Sequence, residues 1–128
     1  MIEMAKQQED DQPIPARKRV VFLHGEIKTP PFSHEARKET GDLLGQFQRG
    51  EWPAYPLTER LPIVGRRCGA IRVRDAQHNW RIMFRVDETA VLIVDVYDKK
   101  REKIPDQVIS RCKKRLQKYD EEREAKKS

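Results

Sequence analysis

The chain has 128 residues, 38% of them charged and 37% hydrophobic, with a formal net charge of +6. That is enough for one domain with a small core and a heavily ionised surface, and the positive balance favours polyanionic partners, nucleic acid ahead of an anionic membrane. No apolar run approaches a membrane span and the N-terminus lacks the apolar segment of a secretion signal, so a cytoplasmic location is expected.

Residues 1–17 are polar, acidic at Glu9–Asp11 and broken by Pro13 and Pro15, which predicts a disordered arm ahead of a domain over 18–120. Arg19–His24 is a short apolar run closed by Gly25 and reads as a first strand. It lacks strict alternation, so the expectation is a strand at the most covered position of the sheet. Ser33 is an N-cap candidate, and Ala36, Leu43, Leu44 and Phe47 fall near helical spacing before Gly50. Gly41 and Gly45 each weaken that helix by about 1 kcal/mol relative to Ala and are read as permitting close approach to the sheet. Glu51–Gly65, with three prolines, reads as a crossing loop pinned by Leu57, Leu61 and Ile63. Arg66 and Arg67 then lead into the next strand.

From Cys68 to Arg101 three runs rich in Ile, Val, Phe and Trp are separated by polar breaks, the pattern of an antiparallel meander. In the second run Trp80, Ile82, Phe84 and Val86 share one face, and Arg81, Met83 and Arg85 the other. Superposing the apolar faces pairs Val73 with Ile82 across a loop Ala76–Asn79 and sets Arg74 beside Arg81. A turn centred on Glu88 then places Arg81 opposite Asp95. One sheet face is thus expected to carry Arg72, Arg74, Arg81 and Arg85, with Asp95 and Tyr97 near them. Like charges side by side destabilise a strand pair. A solvated face is the plain explanation for one arginine; for four, a surface for an anionic ligand is the better one, because the guanidinium fork grips phosphate. The fold class expected is α+β: the meander plus an N-terminal strand in a small antiparallel sheet, packed with one helix from each side of the chain.

After Pro105, the residues Val108, Ile109, Cys112, Leu116 and Tyr119 lie at helical spacing, with Arg111, Lys113, Lys114, Arg115 and Lys118 on a basic outer surface. Residues 121–128 are expected to fray. Cys68 and Cys112 lack metal-ligand spacing and read as small buried residues.

The runs I-R-V-R-D, W-R-I-M-F-R-V-D and V-D-V-Y-D-K-K-R-E-K-I-P, followed by a helix with C-K-K-R-L-Q-K-Y-D, resemble the phage-derived, HigB-like branch of the RelE/ParE toxin superfamily over roughly Arg19 to Asp120. The resemblance implies a RelE-like fold and the toxin of a type II toxin–antitoxin pair, with a helix-turn-helix antitoxin and a hetero-oligomer with it. The activity it implies most often is cleavage of mRNA on the ribosome. There the RNA's own 2′-hydroxyl attacks the adjacent phosphate, which calls for no metal or cofactor. By motif position Arg81, Arg85 and Lys99 would be catalytic, while Arg72 and Lys100 match further basic positions of the family. Arg74, Arg66, Arg67 and the loop residue His78 are candidate RNA contacts from the reading of the sheet face. Tyr97 is the best-placed candidate base, since neighbouring cations lower a phenol's pKa; packing is its competing role. Trp52 and Trp80 are aromatics able to stack a base, Trp80 being expected in the core. Ile104 and Ala70 depart from the family's usual Thr and acidic residue. The superfamily also contains gyrase poisons, so a toxin or docking module that binds without cutting is the alternative.

Overall fold

The computed structural model describes residues 17–23 and 30–127. The expected arm up to residue 16 and the end of the first strand at His24 lie outside them. The elements run β1 (Arg19–Phe22), α1 (His34–Gln48), β2 (Thr58–Arg60), β3 (Cys68–Asp75), β4 (His78–Val86), β5 (Ala90–Asp98) and α2 (Asp106–Lys127). They form one five-stranded sheet in the order β1-β5-β4-β3-β2. β1 runs parallel to β5 and the other neighbours are antiparallel. The class is α+β as expected, but the sheet is mixed and gains a fifth strand.

α1 begins where the sequence placed it. Ser33 Oγ accepts from Ala36 N at 3.1 Å, and Ser33 N donates to Asp75 at 2.8 Å, which ties the helix start to the end of β3. That contact holds the Asp75 carboxyl below its usual range. The helix stops where Gly50, at φ +88°, lets its N–H reach the Phe47 carbonyl at 3.0 Å. Ala36, Leu43 and Phe47 pack with Phe32 onto Ile71, Val73, Ile82, Phe84, Val91 and Ile93. α2 covers the opposite face, setting Val108, Cys112 and Leu116 against Ala70, Met83, Leu92 and Val94. The sheet is therefore buried between two helices, and β5, running through both clusters, is its most enclosed strand. Both cysteines are free and buried, and burial pushes the Cys112 thiol up to about 12.

Several expectations are corrected. β1 is an edge strand with Phe22 52% exposed, not the covered centre; with a partner on one side only, its apolar run reflects the company of α1 and β5. The crossing loop contains β2. Its anchors are Thr58, Leu61 and Val64, whereas Leu57 and Ile63 are exposed. Close approach occurs not at Gly41, where a Cβ would meet open space, but at Gly69, where it would lie 2.6 Å from the Glu59 carbonyl oxygen and 2.9 Å from the Phe84 ring. Gly69 is what lets β2 close onto β3. After Asp120, where frayed helix or disorder was expected, α2 runs on as helix to Lys127.

Strand register is corrected as well. Ile71 pairs with Ile82, Val73 with Trp80 and Asp75 with His78, so the connection is the two-residue turn Ala76–Gln77 with Ala76 at φ +55°. Arg72, not Arg74, stands opposite Arg81. On the other side Arg81 pairs with Tyr97 and Met83 with Asp95, while Phe84 pairs with Ile93. Val94 is thus the extra residue of a β-bulge. Val94 and Asp95 consequently both turn toward α2, and the bulge shifts the alternation of β5 so that Tyr97 joins Arg81 on that face. Asp95 is met by Arg111 at 2.6 Å and Arg115 at 3.2 Å, and Arg115 also donates to the Val94 carbonyl at 2.7 Å. Those two arginines turn inward rather than forming part of a basic outer surface.

Candidate functional site

Where α2 leaves the sheet uncovered, near the end of β4 that follows the Ala76–Gln77 turn, lies a cleft of about 360 Å³ lined by Arg72, Asn79, Arg81, Lys99, Lys100, Arg101 and Glu102. Arg72 and Arg81 form its floor, on one rung of the sheet. Arg72 on β3, Arg81 on β4 and Tyr97 on β5 stand side by side in consecutive strand pairs. The wall is the segment after β5, held by the Lys99 N–H on the Asn79 carbonyl at 2.7 Å. Asp98 accepts from Asn79 N at 3.0 Å, from His78 and from Lys100 at 2.9 Å. Those contacts, His78 foremost, hold its carboxyl far below the ordinary range.

Arg81 is the unusual member. Its residue is only 8% exposed. Nη1 donates to the Trp80 carbonyl at 3.3 Å, while the buried Nε has no hydrogen-bond partner. Glu59 is 3.7 Å away, beyond hydrogen-bond reach. Burial and then the Arg72 charge depress its pKa, although a guanidinium stays protonated at any working pH. Arg72 has its guanidinium over the Tyr55 ring at 5.2 Å. The site therefore holds concentrated positive charge with less counter-charge than it needs. Lys99 and Arg101 have no carboxylate partner among the described residues.

Tyr97 lies against Arg81, and its hydroxyl is buried without a partner. Burial raises the phenol's pKa above the ordinary value, outweighing the lowering by Arg81. The expectation that cations would lower it is corrected: desolvation is the larger effect here.

Arg85 is brought to the same face but a different place. Its guanidinium grips Asp87 at 2.8 Å and Asp120 at 2.7 Å, and these contacts raise its pKa. Arg67 joins Asp87 at 3.3 Å, and with Arg66 and Lys113 it lines a separate cavity of about 460 Å³ beside α2. Arg66, Arg67 and Arg85 are thus not part of the cleft. Arg74 is exposed opposite Asn79. His78 stacks on Trp80 with ring centres 5.1 Å apart, on the face that α1 covers. The sequence reading missed Asn79, Arg101 and Glu102. Asn79 and Glu102 carry no pattern signal, while Arg101 extends the K-K-R run already in view.

Among the described residues no helix is long and apolar enough to cross a membrane. No curated protein and no solved structure matches the chain. The family profile described as Phage derived protein Gp49-like (DUF891) matches residues 30–117, from the approach to α1 through most of α2 and including every residue of the cleft. The chain belongs to this phage-derived Gp49-like family of the RelE/toxin-like group.

Proposed function

We propose that this protein is the toxin of a type II toxin–antitoxin pair, of the HigB-like kind, and that it cuts mRNA on the ribosome without a metal. Membership of a toxin-like family supports the toxin role and an antitoxin partner. The observation that carries the chemistry is Arg81: a buried guanidinium beside a second one, with Nε lacking a hydrogen bond and only a loose ion pair to Glu59 at 3.7 Å. Such a charge is costly until an anion arrives. A phosphodiester is the anion whose oxygens match two guanidinium forks.

In this reading the phosphate lies on Arg72 and Arg81, with Lys99, Lys100 and Arg101 holding the flanking backbone. The ribose 2′-hydroxyl attacks phosphorus and the bond to the 5′-oxygen breaks. The two arginines stabilise the charge that builds on the phosphorane oxygens, the place where preorganised cations act most strongly. Glu102 is the carboxylate at the cleft that would take the hydroxyl proton, and Lys99 the acid that would return one to the leaving oxygen. Tyr97, enclosed beneath Arg81, supports the floor rather than exchanging protons.

Primer extension on mRNA from translating ribosomes tests this. Added wild-type protein should produce discrete cleavage, and Arg81→Ala should reduce it by at least about 100-fold with its circular dichroism unchanged. Intact mRNA with a DNA damage response would instead favour gyrase poisoning. Intact mRNA with binding that vanishes in moderate salt would favour plain electrostatic docking.

A further inference from the structure

Beside the cleft, the chain turns out into solvent at Pro53–Leu57 before entering β2. The turn is stiff: the Leu57 and Thr58 N–H groups reach the Ala54 carbonyl, and the buried Thr58 hydroxyl donates to the Pro53 carbonyl. It is also fixed in place relative to the arginines, because Arg72 N donates to the Leu57 carbonyl at 2.9 Å. At its tip stands Tyr55, 72% exposed. It is the most exposed of the large hydrophobic side chains among the described residues, ahead of Ile63, Phe22 and Leu57. Arg72 touches both places: it lines the cleft, and its guanidinium lies over the Tyr55 ring at 5.2 Å.

The two tryptophans are not available for this role. Trp52 is wedged between Phe47 and Phe84, with Arg60 over its ring at 3.8 Å. Trp80 packs edge-on to Phe32 and is covered by His78.

We propose that Tyr55 is a stacking shelf for a nucleobase of single-stranded RNA, the base attached to or next to the phosphate bound by Arg72 and Arg81. This rests on the RNA reading of the cleft. A nucleobase suits the shelf because the flat ring is open to solvent, and one step away the arginines supply the charge its phosphate needs. Arg72 joins the two functions: its guanidinium sits against the ring in cation–π geometry and presents its fork to the cleft. The shelf orients the nucleotide and contributes to base preference without taking part in proton transfer.

The test is binding of a fluorescent RNA hexamer, and of the same hexamer with abasic ribose throughout, to the full chain at low salt. The proteins compared are wild type, Tyr55→Phe, Tyr55→Ala and Arg81→Ala. The proposal expects Tyr55→Ala to weaken the base-bearing RNA roughly tenfold, within the usual range for one stacked base. It expects Tyr55→Phe to bind like wild type and the abasic RNA to bind both Tyr55 variants as it binds wild type. Arg81→Ala should weaken both RNAs alike. If Tyr55→Ala leaves the base-bearing RNA unaffected, or weakens both RNAs equally, the shelf is wrong while the phosphate cleft stands. If wild type binds neither RNA, or Arg81→Ala changes neither, the cleft reading fails and the shelf with it.

Discussion

Arg81 and Arg85 sit on one strand and on one face, with Met83 between them on that face. Their surroundings are opposite. Arg85 has a bidentate grip on Asp87 and a second on Asp120, and its protonated form is strongly favoured. Arg81 has one long contact to a carbonyl, a loose carboxylate and a like charge as neighbour. The same residue type is thus a structural clamp at one end of the strand and a loosely compensated charge at the other. What separates them is α2. Its far half delivers Asp120 to Arg85, and its near half, through Arg111 and Arg115, takes Asp95, the carboxylate that alternation alone would have offered to Arg81. A weakly paired arginine is informative only when its neighbours show that closer pairing was available and went elsewhere.

Replacing each arginine with Met, which keeps the bulk and removes the charge, should drive the two ends apart. Arg81→Met should lose activity by about 100-fold. Its stability should hold or rise by up to about 1 kcal/mol, because removing a poorly compensated buried charge relieves desolvation. Arg85→Met should do the reverse. Two carboxylates are left facing each other, and with Asp120 half in water a loss of about 1–2 kcal/mol is expected, a fall in Tm of roughly 5–10 °C. Toxicity should persist below that melting point. Thermal melts beside the cleavage assay read both; equal destabilisation by the two variants would erase the distinction.

Much of this difference could not be seen in the chain. The three strands of the meander, the N-cap at Ser33 and the α2 stripe were legible, because each depends on local periodicity or a local hydrogen bond. The gathering of arginines on one face was legible for β3 and β4, where parity holds. The register was not. D-A-Q-H contains none of the glycine or asparagine signals of a two-residue turn, so the slip that puts Arg72 rather than Arg74 beside Arg81 left no trace. Nor was the bulge at Val94: an extra residue in a run of Val, Leu and Ile looks like any other, yet it decides which side Tyr97 takes. The fate of Arg85 depends on Asp120, a partner on another element and distant in sequence. Pattern reading assigns side chains to faces; it does not say which charges on a face have already found partners.

A smaller effect separates the ends by pH. Hydrogen bonds from Arg85 hold the Asp120 carboxyl below its usual range. A carboxylate with a depressed folded pKa contributes stability above its unfolded value, near 3.9, and that contribution is lost as pH falls through the folded value. The Tm advantage of wild type over Asp120→Asn should therefore be full at neutral pH, begin to shrink below about pH 4 and vanish at lower pH. An advantage that is constant across this range would mean that Asp120 does not act through its charge.

The smallest effect concerns the residue beside Arg81 on the same rung. Tyr97 has a buried hydroxyl with no partner, and an unpaired polar group in that position costs free energy. Tyr97→Phe removes it and keeps the ring that packs against the α2-side core. Stability should rise by about 0.5–1 kcal/mol at neutral pH. The gain should widen in alkali, because a group whose folded pKa is raised contributes its stability below the unfolded value, near 10, and loses it as pH rises through the folded value. Cleavage should change by less than about threefold, since a phenol this well enclosed is a poor proton acceptor at neutral pH. A loss approaching that of Arg81→Met would move Tyr97 from support of Arg81 into the chemistry, and would require the cleft to open far enough for its hydroxyl to meet the RNA.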